Sequence, residues 1–435
     1  LTEQSWQIPY AIRVDSITNF QHTWAEGDDL IVEDLVTDPA ILGEQDRQRV
    51  REVAIREPLL VDRLVSPSGH VTAVNVTIQL PGTHMATEVP EVVEFSRNLV
   101  RQLNDRYPGI ETHLTGVVLL NNAFSEMSER DIKTLIPIMF LVIIVVLALL
   151  LRSFTGTVVT LLMIVLSIVT AAGAAGWMGI SLTPPSASAP TMILTLAVAD
   201  SVHLLITFLQ RVRHGDSRVD AMRESLRINL QPIFLTSVTT AIGFLSMNFS
   251  DAPPFRDLGN IVSIGVLAAF FYTIAILPAL MLLLPVRVKA AHNGTLAAMD
   301  GLADFVIKWR RPVLVSMSLI TLLLVFHIKD NELNDEFVKY FDNTVAFRTD
   351  TDFTVDNLTG LYSISYSLKA AEPGGISEPA FQQKLEEFAN WYRQQPEVLH
   401  VSSLSDTMKR LNKNLHQDQA QWYRIPEQRD LCLLY

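Results

Sequence analysis

Between Ser153 and Ala199 the chain carries no charged residue. A bilayer crossing takes about 20 apolar residues at ~1.5 Å rise, so this stretch is long enough for two crossings. In lipid a backbone must satisfy its own polar groups, which leaves helices as the reading for such spans. Pro184, Pro185 and Pro190 divide the stretch into two helices, because proline lacks the N–H that a helix interior needs.

The same search finds further spans on both sides. The first is Leu135 to Leu151, stopped by Arg152, and the second runs from Thr155 to Met178. The third, Thr191 to Leu209, contains Asp200 and His203; the fourth is Ile233 to Phe249 and the fifth Ile261 to Leu284. A sixth, Val313 to Phe326, is short, but Arg310, Arg311 and Lys329 flank it and can extend their charged ends toward water. Polar sequence precedes and follows this block, so soluble domains are expected around a membrane bundle.

Composition narrows the function. A formal charge of −12 gives no clustered basic face for a phosphate backbone, so no nucleic-acid partner is expected. The single cysteine, Cys432, excludes an intrachain disulfide and a cysteine-based zinc site, and the ten histidines lack metal-ligand spacing. No Gly-rich phosphate loop, GxSxG elbow or HExxH is present. These absences argue against an enzyme.

Short connecting loops set the expected orientation, since Lys and Arg are retained on the cytoplasmic side. Arg211, Arg213, Arg218, Arg223 and Arg227 follow the third span, and Arg287, Lys289, Lys308, Arg310 and Arg311 precede the sixth. Both segments are therefore expected to face the cytoplasm, the first as a basic loop. Residues 1–130 and the tail after Lys329 then lie outside. That placement calls for a membrane helix ahead of Leu1.

Each outer region reads as strand, helix, strand. In the first, His70 to Leu80 alternates, Val92, Ser96, Leu99 and Leu103 line a helical face, and Ile110 to Leu120 returns. In the second, Tyr362 to Leu368 alternates, Phe381, Leu385, Phe388 and Tyr392 form the stripe, and Val398 to Leu404 returns. A motif repeats at constant spacing: Pro9, Val14, Ser16, Ile17, Thr18 and Asn19 match Pro396, Val401, Ser403, Leu404, Ser405 and Asp406. Carried backwards, that offset puts a partner of the Val313 helix ahead of Leu1, and carried forwards it predicts a second bundle.

Five segments carry a family resemblance: Asp131 to Pro137 entering the first span, Leu151 to Phe154 leaving it, Leu196 to His203 in the third, Thr236 to Phe244 in the fourth, and Arg310 to Val313. At these residues the chain resembles the resistance-nodulation-division (RND) superfamily, on the side of its hydrophobe-exporter and mycobacterial-membrane-protein-large branch. The resemblance implies an α-helical transmembrane bundle, twelve helices in the whole protein, plus α+β extracytoplasmic porter domains built of split, ferredoxin-like βαβ units. On that map, 1–130 is part of the first porter domain and 131–286 holds helices two to six, a unit similar to a sterol-sensing domain. Residues 287–311 form a cytoplasmic linker, 312–328 helix seven, and 329–435 the start of the second porter domain. Many relatives have Gly before and Tyr after the fourth-helix Asp, where this chain has Ala199 and Ser201.

Asp200 is the principal candidate. A low-dielectric layer disfavours a charged, unpaired carboxylate by several kcal/mol, which makes reversible protonation available as a switch. His203, three residues on, shares its helical face and can relay the proton. Thr239 and Thr240 on the next span are candidates to donate hydroxyl hydrogen bonds to it. Gly173, Gly176 and Gly243 read as points of close helix packing.

The expected whole is a multi-pass protein of the bacterial inner membrane, with both large domains periplasmic. It is a secondary active transporter rather than an enzyme, has no cofactor beyond the proton gradient, and exports hydrophobic or amphipathic small molecules or lipids. The residues leave open a homo-oligomer or a periplasmic adaptor as partner. Two other classes share the five-helix unit: a sterol- or lipid-binding sensor, and a secretion accessory protein.

Overall fold

The structure is a computed structural model that describes residues 1–27, 29–286, 293–332 and 335–434. It divides into two compact units, Leu1–Ala123 with Asp335–Tyr435, and Phe124–Asn334.

The second unit is helical because its sequence gives the backbone no other way to satisfy itself in an apolar setting. Among the described residues six helical stretches are long and apolar enough to cross a membrane: Val117–Leu151, Phe154–Trp177, Ser186–Arg213, Arg218–Phe249, Pro253–Leu283 and Arg310–Asp330. Each expected span coincides with one of them to within a residue at its end or lies inside it. Arg152 breaks the first from the second with a left-handed backbone, φ 49°, and the Ser153 side chain accepts from Gly156 N to start the next helix. The prolines act as expected, since regular α-helix stops at Trp177 and resumes at Ala189.

The Ala189–Arg213 helix is the most enclosed of these, with Leu194, Ala197, Leu204, Leu205 and Phe208 packed against Met163, Ile164 and their neighbours, and Ile193 against Ala171, Ala175 and Val262. Polar side chains tie the neighbouring helices. Ser225 Oγ donates to Leu204 O at 2.6 Å, Asn229 Nδ2 to Thr207 Oγ1 at 2.9 Å, and Ser263 Oγ to Ala241 O at 3.1 Å. Apolar side chains cover the outside: Leu141, Leu149, Phe154 and Val169 are exposed, as are Leu319, Leu322 and Leu323 on the Arg310–Phe326 helix. A surface of that kind is unsuited to water and suited to lipid.

One expectation changes here. The basic segment after the third span is not a loop, because a short turn at His214–Ser217 separates two helices, Ala189–Arg213 and Arg218–Leu245. Ser217 accepts from Asp220 N and caps the second, and Asp220 favours the positive end of its dipole. Among the basic residues before the sixth span, Lys308 ends an Asn293–Lys308 helix and Arg310 begins another, whereas Arg287 and Lys289 lie outside the described residues.

Among the described residues the other unit has fewer strands than expected. Ala11–Asp15 pairs with Asn75–Ile78, and Gln21–Glu26 with Asp29–Asp34, both antiparallel. The helical stripes are present: Met85–Arg106 buries Val92, Ser96 and Leu99, and Pro379–Arg393 half-buries Phe381, Leu385, Phe388 and Tyr392. The first expected strand shrinks to Asn75–Ile78, and the return at Ile110–Leu120 is overturned because the helix from Val117 begins inside it. Neither Tyr362–Leu368 nor 398–403 forms a strand among the described residues. Alternation favours an extended backbone, but a strand also needs a neighbour to complete its ladder.

The repeated motif folds the same way twice. Ser16 N donates to Asn19 Oδ1 at 2.8 Å and Thr18 N to Ser16 Oγ at 3.2 Å. In the second copy Ser403 N donates to Asp406 Oδ2 at 3.1 Å and Ser405 N to Ser403 Oγ at 3.1 Å. The first copy leads into a strand, and the second caps the Leu404–Leu415 helix.

That helix brings in a buried ion network. Lys409, 9% exposed, donates to Glu386 Oε1 at 2.6 Å and pairs with Asp406 at 3.1 Å. Arg393 closes on the other Asp406 oxygen at 2.6 Å, and Ser405 Oγ donates to Glu386. Burial works to raise the Glu386 carboxyl, but donation from Lys409 and Ser405 outweighs it and holds the group below its ordinary value. This stabilisation is therefore present above the ordinary carboxylate range and is lost as pH falls through the lowered value. Lys409→Met leaves a buried carboxylate short of its partner, and is expected to destabilise the unit by about 3 kcal/mol. Thermal unfolding at neutral pH should register that loss, with the gap to wild type closing as the medium is acidified.

Candidate functional site

Asp200 sits midway along the Ala189–Arg213 helix, whose other buried side chains, Ser201 apart, are apolar. It is 7% exposed, and its Oδ2 accepts a hydrogen bond from Ser237 Oγ at 3.0 Å. Ser237 is itself buried, on the Arg218–Leu245 helix. Among the described residues no Lys or Arg is paired with Asp200. One hydroxyl donor leaves most of the carboxylate's acceptor capacity unused, so the site tolerates a neutral, protonated acid as well as an anion.

His203 lies one turn further along the same helix, exposed on the outside of the bundle and within electrostatic reach of Asp200. Thr239 points elsewhere: its Oγ1 donates to Leu235 O at 2.7 Å and Thr236 O at 3.1 Å, backbone of its own helix. Thr240 is half-buried on the same helix. The hydroxyl that reaches the acid is thus Ser237. Its signal lay in a spacing of four, since Ala221, Ser225, Asn229, Ile233, Ser237 and Ala241 form one buried stripe of mostly small or polar residues.

A second polar layer adjoins the first. Ser201 Oγ lies 3.4 Å from Thr273 Oγ1, and Thr170 Oγ1 lies 2.7 Å from Tyr272 OH. Tyr272 and Thr273 belong to a π-helical turn, Tyr272–Ile276, inserted between Pro253–Phe271 and Leu277–Leu283. A π-turn re-aims the side chains after it, and here it turns two hydroxyls inward. From the sequence Ser201 stood out only as a departure from relatives, and this turn was not visible, because π insertions have no residue signature.

The glycine expectations also shift. A Cβ at Gly173, Gly176 or Gly243 would meet nothing within 4 Å, so these positions make no close approach among the described residues. The tight contacts are at Gly259, where a Cβ would overlap Phe244 O and lie 3.0 Å from Met247 Cβ, and at Gly265, where it would overlap Ile193. No group of three or more His, Cys, Asp or Glu among the described residues could hold a metal ion.

Known proteins resemble parts of this chain. The siderophore exporter MmpL5 of Mycobacterium tuberculosis is 23% identical over 275 residues, covering 61% of this chain and 28% of its own length. MmpL9 of the same species is 26% identical over 254 residues, covering 57% of this chain and 26% of its own length. MJ1562 of Methanocaldococcus jannaschii is 22% identical over 176 residues, covering 40% of this chain and 45% of its own length. The chain thus spans less than half the length of these relatives. Asp200, Ser237, His203 and the π-turn all lie inside residues 15–315, which match the model of the MMPL family. With well over half of its length in that match and, among the described residues, six helices long and apolar enough to cross a membrane, this chain is a multi-pass membrane protein that belongs to the MMPL family.

Proposed function

We propose that the chain is part of a proton-driven exporter of hydrophobic or amphipathic molecules, lipids among them, in the bacterial inner membrane. The observation that carries this reading is the Asp200 carboxyl, buried in a bundle with a lipid-compatible surface and held by a single hydroxyl. Taking up a proton removes a charge from the low-dielectric layer, and releasing it restores one, so the preferred helix arrangement differs between the two states. Ser237 orients the acid, and His203 is the nearby group able to pass the proton on. Export is supported by the name of one relative, the siderophore exporter MmpL5.

In this reading Leu1–Ala123 and Asp335–Tyr435 are periplasmic, belong to porter domains, and open and close as the bundle changes state. The basic helix ends around Arg213 and Arg218 support a cytoplasmic position for that side of the bundle. The test uses proteoliposomes carrying a nitrobenzoxadiazole-labelled lipid. Release to an external acceptor should require an imposed proton gradient and stop when a protonophore collapses it. Release that ignores the gradient would overturn proton coupling.

A further inference from the structure

Phe20, His22 and Trp24 alternate along one extended stretch, so their side chains fall on one face. The His22 and Trp24 rings stack, with centroids 5.4 Å apart. Two helices bring a cation to this strip: the Arg410 guanidinium lies 5.2 Å from the Phe20 ring centroid and that of Arg49 lies 5.8 Å from the Trp24 ring. Lys413, three residues after Arg410, is also within electrostatic reach of His22. The acid in reach, Asp418, is already engaged, accepting from Ala25 N at 2.8 Å and from Asn414 Nδ2.

The guanidinium is not satisfied by this arrangement. Arg410 Nε and Nη1 are buried and have no hydrogen-bond partner among the described residues, and the same holds for His22 Nδ1. A ring face attracts the cation but does not satisfy its in-plane N–H groups. Leaving charged donors buried and unmatched is costly, and a planar guanidinium matches an oxyanion with two parallel N–H groups. Burial first, then the nearby Arg410 and Arg49, holds the His22 imidazole below its ordinary value.

We propose that the aromatic strip between Arg410 and Arg49 binds the anionic head of an amphipathic molecule, a carboxylate or phosphate monoester joined to an aromatic or apolar body. Rings suit the body, and the two guanidinia suit the head. As a statement about exported substrates this rests on the export reading; as a binding site it does not.

The experiment is isothermal titration calorimetry on the full chain in an uncharged detergent, with 1-naphthoate, 1-naphthyl phosphate and 1-naphthylmethanol as probes. At least one anion should bind and the neutral alcohol should not, and the stronger anion identifies the head group. Arg410→Gln should weaken anion binding about tenfold or more, with Arg410→Lys recovering part of it. Should Arg410→Gln lower the unfolding midpoint, Arg49→Gln carries the test, because Arg49 is exposed on the Glu44–Ala54 helix. Equal binding of the alcohol, or full anion binding by a folded Arg410→Gln protein, overturns the proposal. Lost anion selectivity with gradient-driven lipid release intact rejects this site alone; anion binding without gradient-driven release rejects only the export reading.

Discussion

Asp200→Asn should abolish gradient-driven release while leaving the bundle folded. The amide is nearly isosteric with the carboxyl, and its oxygen can still accept from Ser237 Oγ, which lies 3.0 Å from Asp200 Oδ2. It cannot exchange a proton, so the two charge states that bias the bundle collapse into one. A drop of at least about a hundredfold in release rate, near 2.7 kcal/mol in barrier, is the expected scale. Ser237→Ala should act more weakly and differently, because it removes the orienting donor and leaves the titrating group in place. Its expected signature is a shifted pH profile of release with the maximum rate largely kept. Undiminished release by a folded Asp200→Asn protein would refute the role given to this acid.

How far these features could be read from residues alone differs by kind. The six crossings were legible because a span is a property of composition over about 20 residues, and the uncharged run before Asp200 admits little else. Asp200 stood out for the same reason, as a charge where charges are expensive. Its partner was not legible, since Thr239 and Ser237 both sit in a Thr- and Ser-rich turn, and only the drift of the buried stripe along the Arg218–Leu245 helix selects Ser237. Gly173 and Gly259 look alike in sequence. What separates them is whether a neighbouring backbone crosses there, which depends on helix rotation rather than on the local sequence. The outer unit was the least legible, because the alternating run at Tyr362–Leu368 specifies an extended shape but not a partner, whereas the Ser16 and Ser403 turns are closed by residues two and three positions away and were visible as a repeated motif.

Gly259→Ala should be among the most damaging single substitutions in the bundle. The Pro253–Phe271 helix passes the end of Arg218–Leu245 so closely that a Cβ at this position would occupy the space of Phe244 O and lie 3.0 Å from Met247 Cβ. A backbone carbonyl cannot rotate aside as a side chain can, so the helices must separate, disturbing the Ser263 to Ala241 bond at 3.1 Å. Overpacking of this kind is expected to destabilise the bundle by about 3 kcal/mol. Gly265→Ala is the informative comparison, because the group in its way is the Ile193 side chain, which can change rotamer. Its expected cost is about 1 kcal/mol. Unfolding of both variants in the same detergent, followed by helical circular dichroism, should place Gly259→Ala well below Gly265→Ala in midpoint. If the two fall together near wild type, the helices do not approach as closely as these contacts require.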